Sequence, residues 1–166
     1  MNNLKQYNTN NTQTAGTIRL LHIGSETATF QRRENNTVTQ EIKLETGYRY
    51  LVDKFFKQEI PTDAETDYAI NYIEDQLMSD RNLLHTNEQL VSSDKLLIEL
   101  FRKNELLADS YSRQNVEDLF SRYARVIMGA PASELNTPIT RTDFAILLLL
   151  REIMHHLGFE TINLIG

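Results

Sequence analysis

TIRLLHIGSETATFQRRENNTVTQEIKLE, residues 17 to 45, is the stretch that decides the fold. Ile18 to Ile23 is largely apolar, Thr27 to Arg32 alternates apolar with polar, and Val38, Ile42 and Leu44 punctuate a third run, so the segment reads as three strands. The pair Asn35-Asn36 suits a two-residue hairpin turn, because Asn tolerates the positive φ such turns demand. Three consecutive strands joined this tightly predict an antiparallel meander.

From Tyr48 the period changes. Tyr48, Leu51, Val52, Phe55 and Phe56 share one helical face, and Pro61 is expected to stop that helix. Thr62-Asp63-Ala64-Glu65 is a capping-box sequence, followed by Ala69, Ile70, Ile73 and Leu77 on the buried side of the next helix. Glu74 and Asp75 on that helix read as part of a solvated face. Glu88 to Val91 predicts a short strand leading into Ser92-Ser93-Asp94, a helix N-cap, and a helix with Leu96, Leu97, Leu100 and Phe101 inward. Another helix opens at Ser112 and buries Val116, Leu119, Phe120, Tyr123 and Ile127. The most apolar helix runs from about Thr142 to Leu157 and ends at Gly158, the usual capping residue, before a strand over Thr161 to Ile165. Strands first, then helices around one middle and one final strand, predict an α/β layered domain with a mixed sheet.

A chain of 166 residues fits one domain, which at this size buries roughly two thirds of the surface its unfolded form exposes. Cysteine is absent, which removes disulfides, zinc-thiolate sites and thiol nucleophiles together. The longest apolar run, Phe144 to Leu150, is far short of the roughly 20 residues of a membrane span. No secretory signal is read, and the expected location is the cytoplasm, with no membrane partner. A formal charge of −6 works against nucleic-acid binding, and no aromatic platform interleaved with Lys and Arg offsets it. Met1 to Gly16 is dominated by Asn, Thr and Gln, and reads as a disordered leader or a linker from a longer protein.

The order of these segments resembles the second actin-like domain of the exopolyphosphatase/guanosine pentaphosphate phosphatase (Ppx/GppA) family. That family opens the domain with a strand and a phosphate loop of the pattern D-I-G-G-G-S-T-E, matched in position by His22-Ile23-Gly24-Ser25-Glu26-Thr27-Ala28-Thr29. Its phrase S-L-P-L-G-A-V-R-L-T-E-R-F corresponds to Ile42 through Phe55, with Gly47 in place, and Ile60 to Glu65 resembles its proline-led entry into the next helix. A later G-T-x-G-T loop is matched in position by Ser92-Ser93-Asp94-Lys95. The R-A-D phrase ahead of a long apolar helix is matched by Arg141-Thr142-Asp143, followed by Leu157-Gly158 and the last strand. The similarity spans about Thr17 to Gly166. It implies one actin-like, ribonuclease H-like domain, a phosphoanhydride-hydrolase ancestry, Mg²⁺ in active members, and a cleft completed by a second actin-like domain.

The resemblance also makes the departures legible. His22 stands where the family's Asp would be, Ser25 and Glu26 replace two glycines, and Thr29 replaces Glu, leaving Gly24 and the Thr27 hydroxyl as remnants of the phosphate loop. Glycines let backbone N–H groups reach phosphate oxygens unobstructed. A Glu26 carboxylate near such a ligand would repel it by roughly 4 kcal/mol at 4 Å and an effective dielectric of 20. In the second loop Ser92, Ser93 and Lys95 are able to contact an anion, but helix capping is the preferred reading. The chain ends near where the family continues into a G-L-R-E-G phrase, so the domain is read as incomplete at that end or as a drifted single domain. The expectation is a non-catalytic binding or assembly module with no cofactor of its own, with a phosphate-containing ligand and a second actin-like domain or homodimer as candidate partners. The alternative is one part of an active phosphohydrolase.

Other candidates have plainer readings. His155 and His156 point about 100° apart on a helix and do not converge on one ion. His22, on a strand, reads as a packed or capped imidazole before a catalytic base. Arg141 and Asp143 read as structural, with Thr140 or Thr142 capping the helix. The helix Thr142 to Leu157 is either a core helix or a homodimer face.

Overall fold

Alternating side chains on paired strands fix which way the sheet faces. The computed structural model describes residues 16–84 and 88–166, so the leader or linker read over Met1 to Gly16 lies, apart from Gly16, outside the described residues. The strands β1 (Ile18–Ile23), β2 (Ala28–Glu34) and β3 (Thr37–Leu44) form the expected meander, with Leu21 opposite Phe30 and Phe30 opposite Ile42. Those side chains share one buried face, while Glu41 and Lys43 face solvent. The β2–β3 turn places Asn35 and Asn36 at φ 51° and 65°, as the two-residue turn requires.

The chain then continues as α1 (Tyr48–Phe55), α2 (Asp63–Met78), β4 (Gln89–Ser92), α3 (Lys95–Lys103), β5 (Ser110–Ser112), α4 (Arg113–Ile127), α5 (Arg141–Leu157) and β6 (Thr161–Leu164). The six strands lie in the order β3-β2-β1-β4-β6-β5, with β1, β4 and β6 parallel and the outer pairs antiparallel. This is the mixed α/β sheet anticipated from the sequence. Three details differ. β5 is an additional edge strand, too short at three residues to show any alternation. Helix α1 ends at Phe55, well before Pro61, because Phe56 turns inward and is fully buried. Leu96, placed in the core by spacing, is 45% exposed while its neighbour Leu97 is fully buried, because Leu97, Leu100 and Phe101 form the core face of α3 and Leu96 is turned to the cleft.

Helix α5 is the centre of the domain. Every residue from Phe144 to Leu150 is buried, and the helix packs against α1, α2, α3 and α4. The Phe144 ring lies 5.4 Å from Phe56 and 5.8 Å from Phe120, measured between centroids. A stretch apolar on all sides has to be surrounded, and Phe144 to Leu150 is surrounded within this one chain, so the apolar part of α5 is core and its reading as a homodimer face is corrected. Thr140 caps it by accepting the Asp143 N–H at 3.0 Å, and Gly158 ends it at φ 74°. Arg141 donates to the Phe56 carbonyl at 3.1 Å, the structural role expected of it. No helix among the described residues is long and apolar enough to cross a membrane.

The capping box of α2 forms as the sequence predicts. Thr62 accepts the Glu65 N–H at 3.2 Å, and the Glu65 carboxylate accepts the N–H groups of Thr62, Lys57 and Gln58 at 2.9, 3.0 and 3.3 Å. Burial alone would push the Glu65 carboxyl upward, but these donors hold it below the usual glutamate value. The folded state therefore binds this proton less tightly than the unfolded chain. The cap is fully effective above the ordinary glutamate pKa and is lost as pH falls through the lower folded value. Thr62→Ala should cost about 1 kcal/mol in denaturant titrations near neutrality. Glu65→Gln should flatten the fall in stability below about pH 4.3, and an unaltered acid limb in that variant would contradict this account.

Candidate functional site

The β1–β2 turn is held by the Gly24 N–H donating to the Thr27 carbonyl at 2.9 Å, with Ser25 and Glu26 at its tip. That tip docks onto the start of α1. Tyr48 N–H donates to the Gly24 carbonyl at 3.0 Å, and Arg49 and Tyr50 donate to the Ser25 carbonyl at 2.9 and 3.1 Å. A helix N-terminus presents unpaired N–H groups and attracts anions. Here the chain's own carbonyls take that role. Gly47 permits the approach: a Cβ there would fall under 3.0 Å from the Ser25 carbonyl and the Glu26 nitrogen, closer than real side chains come.

The second turn reaches the first because β4 runs parallel to β1 and pairs Ser92 with Leu21. Asp94 follows at the start of α3, and its side chain leans across to β1 instead of capping its own helix. One carboxylate oxygen accepts the Ile23 N–H at 2.6 Å and the other meets His22 Nδ1. The Asp94 side chain is 9% exposed and that of His22 65%. With Nδ1 turned to the carboxylate, Nε2 is the outer nitrogen of the ring. Ser92 is buried and its hydroxyl accepts the Asp94 N–H at 3.2 Å. The capping role read for Ser92, Ser93 and Asp94 thus becomes a brace between turns, because the Ile23 N–H and His22 lie within reach of the carboxylate.

Between the turns lies a cleft of about 480 Å³, lined by His22, Gly24, Ser25, Tyr48, Ser93 and Lys95 among others, with Asp94 in its wall. Of the residues singled out from the sequence, Gly24, Ser25 and Ser93 face this space. Thr27 contributes its carbonyl to the turn, and Ser92 lies beneath. Glu26 is exposed at the tip and does not line the cleft, so the repulsion expected of it falls to Asp94. Asp94 is the one carboxylate among the described lining residues, and both its oxygens are already engaged. Mg²⁺ is held by one or two carboxylates together with water and phosphate oxygens, and with its single carboxylate turned to Ile23 and His22 the lining does not fit it. The His22–Asp94 pair joins residues 72 apart in sequence, beyond the reach of any linear motif.

A second polar cluster sits elsewhere. His156 Nε2 lies 3.0 Å from Glu74 and 3.1 Å from Glu152, and the exposed His155 ring stands edge-on at 5.1 Å without joining it. Glu74, read as solvated, is tied to α5 because α2 packs there.

Gly47→Ala should destabilise the fold by about 1–3 kcal/mol, the cost of forcing extra volume into a close contact. Asp94→Ala strands the Ile23 N–H and should cost about 1–3 kcal/mol, whereas Ser93→Ala, at an exposed position, should change stability by less than about 0.5 kcal/mol. Equal values for Asp94→Ala and Ser93→Ala in chemical denaturation would remove the brace from this description.

No protein-family model matches the chain, and no curated protein does. Solved structures are similar in fold. The Aquifex aeolicus member of the Ppx/GppA protein family superposes with a TM-score of 0.73 at 12% identity, over 92% of this chain and 54% of that one. An exopolyphosphatase from Cytophaga hutchinsonii gives 0.62 at 18% identity over 90% and 54%. An exopolyphosphatase-like protein gives 0.71 at 8% identity over 96% and 57%. The chain therefore has the actin-like fold found in Ppx/GppA enzymes, and it spans about half the length of the structures it matches.

Proposed function

We propose that residues 17 to 166 correspond to the second actin-like domain of a Ppx/GppA-type protein, with degenerate phosphate turns. The chain serves as a non-hydrolysing binding or assembly module in the cytoplasm. The observation that carries this is the Asp94 carboxylate, engaged by His22 and by the Ile23 N–H at 2.6 Å. Hydrolysis of a phosphoanhydride needs an oriented water and donors aimed at the charge that develops. In this cleft the carboxylate able to orient water is tied to β1, and the N–H groups at the start of α1 already meet Gly24 and Ser25. A buried carboxylate in the wall also disfavours a dense anion. The fold neighbours are about twice as long, which supports a second actin-like domain or another chain as the partner of the cleft face.

A second reading rests on His22. An imidazole held at Nδ1 by a carboxylate is oriented to accept a proton at Nε2, and a second domain would have to supply the remaining groups.

Phosphate release from polyphosphate and guanosine pentaphosphate, measured with Mg²⁺ on the chain mixed with a separately purified first actin-like domain of a Ppx/GppA-type protein, separates the two. The proposal predicts no release above that of the added domain alone. Turnover that disappears in His22→Ala would overturn it in favour of the second reading.

A further inference from the structure

We propose that Glu74, Glu152 and His156, none of which lines the cleft, form a site for a first-row divalent transition ion of the zinc class that joins α2 to α5. Glu152 and His156 are one helical turn apart on α5, which puts both on one face, and Glu74 reaches them from α2. One oxygen from each carboxylate and the imidazole Nε2 all lie within 4.8 Å of one another. Nε2 stands 3.0 Å from the Glu74 oxygen and 3.1 Å from the Glu152 oxygen. Zinc bonds of about 2.0–2.2 Å in a tetrahedron set ligand atoms about 3.3–3.5 Å apart, so only small side-chain shifts are needed to admit the ion.

The protonic alternative is less complete. Nε2 carries at most one hydrogen, yet it faces two carboxylates, one of them on a side chain only 1% exposed. A divalent cation balances both negative charges with a neutral imidazole and gives all three atoms a partner at once. The surroundings also hold the ligand in place: the other Glu152 oxygen meets the Arg151 guanidinium, and Arg151 is itself held by Glu117 at 3.1 and 3.2 Å. Hydrogen-bonded partners of this kind orient ligands. One nitrogen and two oxygens select zinc-class ions over Mg²⁺, which prefers oxygen alone.

Calorimetric titration of the full chain with ZnCl2 and with MgCl2, alongside melting curves with zinc or with EDTA, tests this. The expected result is one zinc per chain, a higher Tm with zinc than with EDTA, and no comparable uptake of Mg²⁺. Glu74→Gln changes a side chain that is 40% exposed and should leave the fold intact. It and His156→Gln should each weaken zinc binding roughly 10- to 100-fold, while His155→Gln leaves it within about twofold. Absence of zinc uptake, or uptake unchanged in both Glu74→Gln and His156→Gln, would overturn the assignment.

Discussion

Gly47 sets how closely two pieces of backbone can approach, and the cleft side of the molecule follows from that approach. With no side chain there, the Ser25–Glu26 tip lies against the start of α1, and the carbonyls of Gly24 and Ser25 meet the first helical N–H groups. This contact fixes the β1–β2 turn relative to α1. It also removes the helix terminus from the set of groups open to an incoming anion. The same meander that carries the turn supplies the row Leu21, Phe30 and Ile42 to the core, so the site's geometry and the core's packing share one register.

The second turn is bound to the first by charge. Asp94 belongs to α3 by backbone position, but its carboxylate serves β1, and a single side chain thereby links the two loops that frame the cleft. A carboxylate this buried is stable only if its oxygens are matched. Matching it internally leaves it less free to position water. The buried carboxylate in the cleft wall answers to the protein itself.

Much of the fold was legible in the sequence, and for identifiable reasons. Period-two alternation located β1 to β3, Asn35-Asn36 located their turn, and Thr62 through Glu65 located a helix start, because each is a local preference written in neighbouring residues. The burial of Phe144 to Leu150 resolved the choice between core and interface that apolarity alone left open. β5 was invisible because three residues carry no period, and Leu96 was misplaced because adjacent apolar residues do not say which of them marks the edge of the buried face. In the cleft, Gly24, Ser25 and Ser93 were found by position. The partnership of His22 with Asp94 was not, since it is created by β4 pairing with β1, a long-range event with no trace in local spacing. Glu26, expected beside the ligand, lies outside the cleft lining, where Asp94 is the carboxylate instead. The cluster of Glu74 with His156 likewise depends on α2 lying across α5.

The most direct measurement is amide hydrogen exchange, resolved by residue, on the full chain with and without tripolyphosphate. The account predicts that the N–H groups of Ile23, Gly24, Tyr48, Arg49 and Tyr50 are protected in the free protein and that their rates do not change with the ligand. Rapid exchange of these amides, slowed when tripolyphosphate is added, would mean they stand open to phosphate and would contradict it.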